Sequence, residues 1–187
     1  MGKSILKYGL IAGVVAGLPI SFMSIAGKDQ VPPSWGMLVG YLTMLVAFST
    51  IFIAIKRQRD VERGGVIRFW PALGIGLGIS FIAGLIYMLA WEAFMAATDI
   101  DFIGAYSQAM IAEEQAKGAS AEAIAALSAE MQTLAVDYAN PLFRMPMTFA
   151  EIFPVGVLVS LVSAALLCNS RFLPATRRKG DAGQVAR

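Results

Sequence analysis

From Lys56 to Phe94 the chain reads KRQRDVERGGVIRFWPALGIGLGISFIAGLIYMLAWEAF, and the reading of this stretch decides the fold. Its first part is a basic loop, with Lys56, Arg57, Arg59, Arg63 and Arg68 around a Gly64-Gly65 turn. No charge follows Arg68 until Glu92. An apolar run of that length exceeds the roughly 20 residues needed to cross a bilayer as a helix. Cations beside a span are held on the cytoplasmic side, so the loop also sets direction. Pro71 falls at the start of the span, where a missing N–H costs nothing.

Composition agrees with this reading. The chain has 187 residues, 57% apolar and 15% charged, whereas a soluble domain carries about 25% charged residues. The net charge of +2 comes from short cationic clusters beside apolar runs, which is no footprint for nucleic acid. There is no histidine, so the commonest general base and metal ligand is missing. Cys168 is the single cysteine and has no internal disulfide partner.

Working outward, Tyr8 to Ala26 is a first apolar run behind Lys3 and Lys7. A signal peptide is the rival reading, with Ser24-Ile25-Ala26 as cleavage site, but the run is longer than a usual signal core. Pro32-Pro33 breaks the chain, and a second span runs from Trp35 to Ile55 with Trp35 as an interfacial anchor. After Ala97 the chain turns acidic and alanine-rich. Ile124, Leu127, Met131, Leu134 and Tyr138 recur at three- and four-residue steps, the apolar stripe of a helix. Gly118 suits a helix end and Ser120 a helix cap, so residues 101–139 are expected to form a helical hairpin outside the membrane. Asn140-Pro141 closes it, and a fourth span covers about 145–168 despite Pro146 and Pro154. Residues 1–171 thus form an all-α, four-helix transmembrane bundle with spans about 8–26, 35–55, 69–97 and 145–168. Residues 172–187 form a basic, disordered tail.

Twelve cations fall on the side of the loop and termini, and Lys28, Lys117 and Arg144 on the other. Lys/Arg bias in short loops orients the protein with both termini cytoplasmic and the hairpin periplasmic.

The order of parts resembles the bacterial membrane family known as domain of unknown function 4199. The resemblance rests on Lys56-Arg57-Gln58-Arg59-Asp60 with Gly64-Gly65, on Asn140-Pro141-Leu142-Phe143, and on Gly156 with Ser160-Leu161-Val162-Ser163-Ala164. It spans Ser4 to Arg171 and implies four retained helices in a bacterial inner membrane. It carries over no catalytic or binding residue.

Small residues mark packing faces. Gly9, Gly13 and Gly17 repeat every four residues, and lipid-embedded helices associate through such close backbone approach. Gly74, Gly76 and Gly78 do not make a dinucleotide fingerprint, because no strand precedes them and the third glycine is missing. Gly74 and Gly78 are expected to pack, as are Gly156 and Ser160.

Glu92 and Glu151 are the ionisable groups inside spans, where charge is costly and faces protein or water. Counted from the outer helix ends they lie about 7.5 and 9 Å deep, effectively level. Gly74, Gly78, Phe81, Leu85 and Met88 share the face of Glu92, which is expected to look into the bundle. Arg144, seven residues before Glu151 on the same face, is the expected counter-cation. Two readings stay open. Either the carboxylates line a pocket for a cation, an amine or a proton, or both reach headgroup water or Arg144. The small stripe Gly156, Ser160, Ala164 lies opposite Glu151, so one of the two faces meets the bundle and the other a second subunit.

No histidine, activated nucleophile or metal cluster marks an enzyme, and no cofactor is expected. The expected function is a non-catalytic interaction or assembly protein, with the lipid bilayer and a second copy or a partner membrane protein as its contacts. The alternative is a small transporter or ligand-binding protein using Glu92 and Glu151. The basic loop and tail also suit anionic headgroups.

Overall fold

The computed structural model describes residues 1–26, 33–98 and 100–174, with side chains described for 1–18, 38–98 and 100–174. The described residues form six α-helices and no strand. They are α1 (Gly2–Ala26), α2 (Pro33–Arg57), α3 (Phe69–Ala97), α4 (Phe102–Ala116), α5 (Ala121–Tyr138) and α6 (Pro141–Leu167). The Lys28–Pro32 turn, the Trp35 anchor and the tail beyond Pro174 lie outside what is described.

Among the described residues, three stretches are long and apolar enough to cross a membrane: Leu38–Glu62, Phe69–Ala97 and Pro141–Leu167. At 1.5 Å per residue the 29-residue α3 measures about 43 Å, more than the hydrocarbon core. α1 has 25 residues and packs along α3. It starts where α2 finishes, since the Met1 ammonium stands 3.9 Å from the Glu62 carboxylate.

Local sequence explains the helix ends. Asn140 caps α6 through its side-chain oxygen to the Leu142 N–H, with Pro141 in the first position. The helix therefore begins four residues earlier than the expected start at 145. Pro146 and Pro154 remain inside it. Asp101 caps α4 by accepting from the Gly104 N–H, and Ser120 caps α5 by accepting from the Ala123 N–H. Gly118 between them has φ +80°, a left-handed conformation that a side chain resists. α1 begins at Gly2 rather than near Tyr8, because nothing in Lys3-Ser4-Ile5-Leu6-Lys7 breaks a helix.

The basic loop differs more from expectation. α2 does not stop at Ile55 but runs on, its last turn a five-residue π-helix over Gln58–Glu62. The turn itself falls on Gly64 and Gly65, with φ of 63° and 92°.

α3 is the central helix. It packs most extensively against α6 and α1, while α2 bridges those two on the other side. The core gathers Phe48, Ile51 and Ile55 of α2 with Ile75 and Ile79 of α3 and Ile152 and Leu167 of α6. At the α3–α6 crossing two small-residue pairs interlock. A Cβ on Gly76 would lie 2.7 Å from Ser160 Cβ, and one on Gly156 would lie 2.7 Å from Ser80 Cβ. The two hydroxyls meet at 3.2 Å, each also donating to the glycine carbonyl one turn back, Gly76 and Gly156. Buried hydroxyls are thus satisfied where the backbones come closest.

Candidate functional site

The residues expected to matter fall into three places. The first is the α1–α3 seam. Cβ atoms on Gly9 and Gly13 would stand 2.7 Å from Ile82 Cβ and Ile86 Cβ, and one on Gly17 would stand 3.9 Å from Ala90 Cβ. Gly78 faces Ile5 of α1 at 2.9 Å. Gly74 differs: it is exposed, and an added Cβ would meet nothing within 4 Å among the described residues. The face of α3 that looks inward carries Ala72, Ile75, Gly76, Ile79, Ser80 and Ala83 instead. Glycines and isoleucines occur all round this helix, so spacing from Glu92 did not single out the buried side.

The second place is the junction of α3, α5 and α6. Arg144 Nε donates to Glu92 Oε1 at 2.8 Å and Nη2 donates to Oε2 at 2.6 Å, a bidentate pair across α3 and α6. Nη1 donates to the Tyr138 carbonyl at 3.1 Å, and the guanidinium lies 5.5 Å from the Tyr138 ring centroid. The pair is mostly shielded, its side chains 10% and 17% exposed. Fork geometry explains why an arginine serves here, with two donors to one carboxylate and a third left for a carbonyl.

An aromatic cluster closes over this junction. Trp91 Nε1–H donates to the Tyr138 hydroxyl at 2.7 Å. Phe102 of α4 meets Trp91 edge-on at 4.9 Å between centroids and stacks on Tyr138 at 6.2 Å. Burial pushes the Tyr138 hydroxyl up, outweighing the Trp91 hydrogen bond and the Arg144 charge, which favour the phenolate. This cluster ties α4 and α5 to the end of α3. Spacing showed Tyr138 in its stripe but gave no signal for its partner Trp91, 47 positions earlier.

The third place is the outer surface of α6. Glu151 is exposed there, in line with Met147, Pro154, Leu158, Val162 and Ala165. It makes no ion pair among the described residues. Arg144 is not its counter-cation, and the reason is geometric. A separation of seven residues is about 10.5 Å along the axis, and the Arg144 guanidinium is already held by both Glu92 carboxylate oxygens and the Tyr138 carbonyl. The open question of α6's two faces resolves accordingly. Gly156, Ser160 and Ala164 are buried, and Glu151 looks out.

One cation read only as a topology marker has a different place. Arg59 is 0% exposed. Its guanidinium donates to Asp60 and to the carbonyls of Phe172 and Leu173, which joins the π-helical turn to the segment after α6. Phe172 packs edge-on against Phe52 at 6.5 Å, so the expected tail is held in place at its start. Among the described residues no three of Cys, Asp and Glu gather as metal ligands.

No curated protein and no solved structure matches the chain. The family model described as "Protein of unknown function (DUF4199)" matches residues 7–169. With nearly the whole chain covered, from the first lysine-flanked helix to the end of α6, this all-helical protein belongs to that family.

Proposed function

We propose that this is a four-pass protein of the bacterial inner membrane that works without catalysis, by assembling with another membrane-embedded chain. α1 is the fourth pass. Both termini and the basic loop face the cytoplasm, and α4 and α5 form a periplasmic hairpin. The proximity of Met1 to Glu62 supports this topology, because it sets the start of α1 beside the end of the apolar stretch Leu38–Glu62.

The observation that carries the assembly reading is Glu151. Its carboxylate sits inside a membrane-spanning helix but on the outer surface, and the nearby arginine is taken by Glu92. A charge in that position is costly against lipid and calls for a polar or cationic neighbour. A second copy or a partner helix laid on the stripe of Met147, Glu151, Pro154 and Leu158 supplies one. The alternative, a transport or ligand pocket built on Glu92 and Glu151, has less support. Glu92 is already neutralised by Arg144 through two hydrogen bonds, which leaves Glu151, among the described residues, as the one unpaired carboxylate of the two.

The test uses the full chain in mild detergent and in native membranes. Leu158→Cys in a Cys168→Ser background should crosslink to a second chain, and Glu151→Leu should reduce that crosslink severalfold. A lone monomer by light scattering, with no crosslinked species in membranes, overturns the assembly reading. A tag near Ser120 reachable only from the cytosol overturns the orientation.

A further inference from the structure

At the opposite end from Glu151, three cations converge that have no ion-pair partner among the described residues. Lys3 and Lys7 stand one turn apart on α1, and Arg57 ends α2. Together with Ser4, Tyr8 and Glu62 they line a groove of about 170 Å³. Of the other described cations, Lys56 and Arg59 pair with Asp60, Arg144 with Glu92 and Lys117 with Glu113 and Glu114, while Arg63, Arg68 and Arg171 lie outside this groove. The lone carboxylate in the groove is itself engaged. Glu62 accepts from the Gln58 amide and faces the Met1 ammonium at 3.9 Å.

We propose that this groove binds the phosphate of an anionic phospholipid headgroup. Two ammonium groups from α1 and a guanidinium from α2, with Ser4 and Tyr8 in the same lining, match a compact phosphodiester. The groove is too small for a whole organic substrate, whose sites run to roughly 300–1,000 Å³. Arg57 is the reason for choosing a lipid over a free phosphate. It also borders a second groove whose walls include Phe52, Ile53 and Val61. An amphiphile can therefore place its phosphate on one side of Arg57 and acyl carbons on the other. The site sits at the mouth of the α1–α2 contact, so an occupant bridges two helices rather than coating one.

The experiment compares bound lipid on the full-length protein in nanodiscs holding phosphatidylcholine with or without phosphatidylglycerol, read by native mass spectrometry. Samples are washed at about 0.5 M salt, where the Debye length shrinks to about 4 Å and diffuse attraction fades. Lys7→Gln/Arg57→Gln should lower retained phosphatidylglycerol at least tenfold. Arg63→Gln/Arg68→Gln, which removes the same charge from positions that do not line the groove, should leave it within twofold. Arg57→Lys should keep most binding, which separates a lost site from a lost fold. Equal loss in both double variants, or no loss in the first, overturns the site. Displacement of the lipid by millimolar inorganic phosphate or glycerol phosphate, dependent on Lys7 and Arg57, overturns the lipid as occupant.

Discussion

Arg144 and Glu92 face one another through two parallel hydrogen bonds, 2.8 and 2.6 Å long, between helices 52 residues apart in sequence. Removing either partner leaves a shielded charge unpaired, which typically costs several kcal/mol. Glu92→Gln and Arg144→Met should each destabilise the protein by about 3 kcal/mol, read by thermal unfolding in detergent. The double variant should cost less than the sum of the two. Additive losses would show that the pair is not coupled.

The glycine seam of α1 predicts a graded response. Gly9→Leu and Gly13→Leu drive a side chain into Ile82 and Ile86, whose Cβ atoms leave no room. Overpacking of this kind costs about 1–3 kcal/mol. Among the described residues Gly17→Ala meets only Ala90, at 3.9 Å, and should stay within about 0.5 kcal/mol of the parent. A cysteine pair placed across the α1–α3 seam should crosslink in the Gly17 variant and lose efficiency in the other two.

Ser80 and Ser160 separate packing from hydrogen bonding. Each hydroxyl has one proton and gives it to its own helical carbonyl, so the 3.2 Å approach of the two oxygens adds little. Ser80→Ala/Ser160→Ala should cost on the order of 1 kcal/mol or less, as polar pairs between membrane helices usually do. Ser160→Leu should cost far more, since Gly76 lies directly against it. Comparable melting temperatures for the two variants would contradict close approach as the main term.

Arg59→Met should free the segment after α6 while leaving the spans intact. The guanidinium alone holds the Phe172 and Leu173 carbonyls from α2's last turn. The expected readout is faster proteolysis near Arg171 and weaker hydrogen-exchange protection of Phe172. Unchanged cleavage would mean that Phe172 packing on Phe52 suffices.

The Tyr138 phenol is held above its ordinary value of 10.0 by burial. A folded pKa above the unfolded one leaves the folded state at full stability below about pH 10, and stability falls as pH rises through the folded value. Trp91 emission, governed by its hydrogen bond to that hydroxyl, should therefore be flat from pH 6 to 9 and change only in stronger alkali. Tyr138→Phe should remove the alkaline step, and a transition near pH 7 would contradict the assignment.

The sequence alone determined the rods, their caps and their breaks. An uncharged run after Arg68, Asn140 before Pro141, Ser120 before an apolar stripe and Gly118 at a turn act within a few residues of themselves. Helix formation answers to such local terms, so they were legible without a fold. Which face of each rod looks inward was decided only in three dimensions. In α3 small and branched apolar residues surround the axis, and in α6 Glu151 and the Gly156 stripe lie on opposite sides, so periodicity left the choice open. Arg144 could be assigned to Glu92, and Arg59 recognised as a buried clamp, only once helices distant in sequence stood side by side. A charge pairs with whatever carboxylate or carbonyl its side chain can reach through space. That reach is set by helix packing and by the lean of side chains toward the helix start, not by separation along the chain.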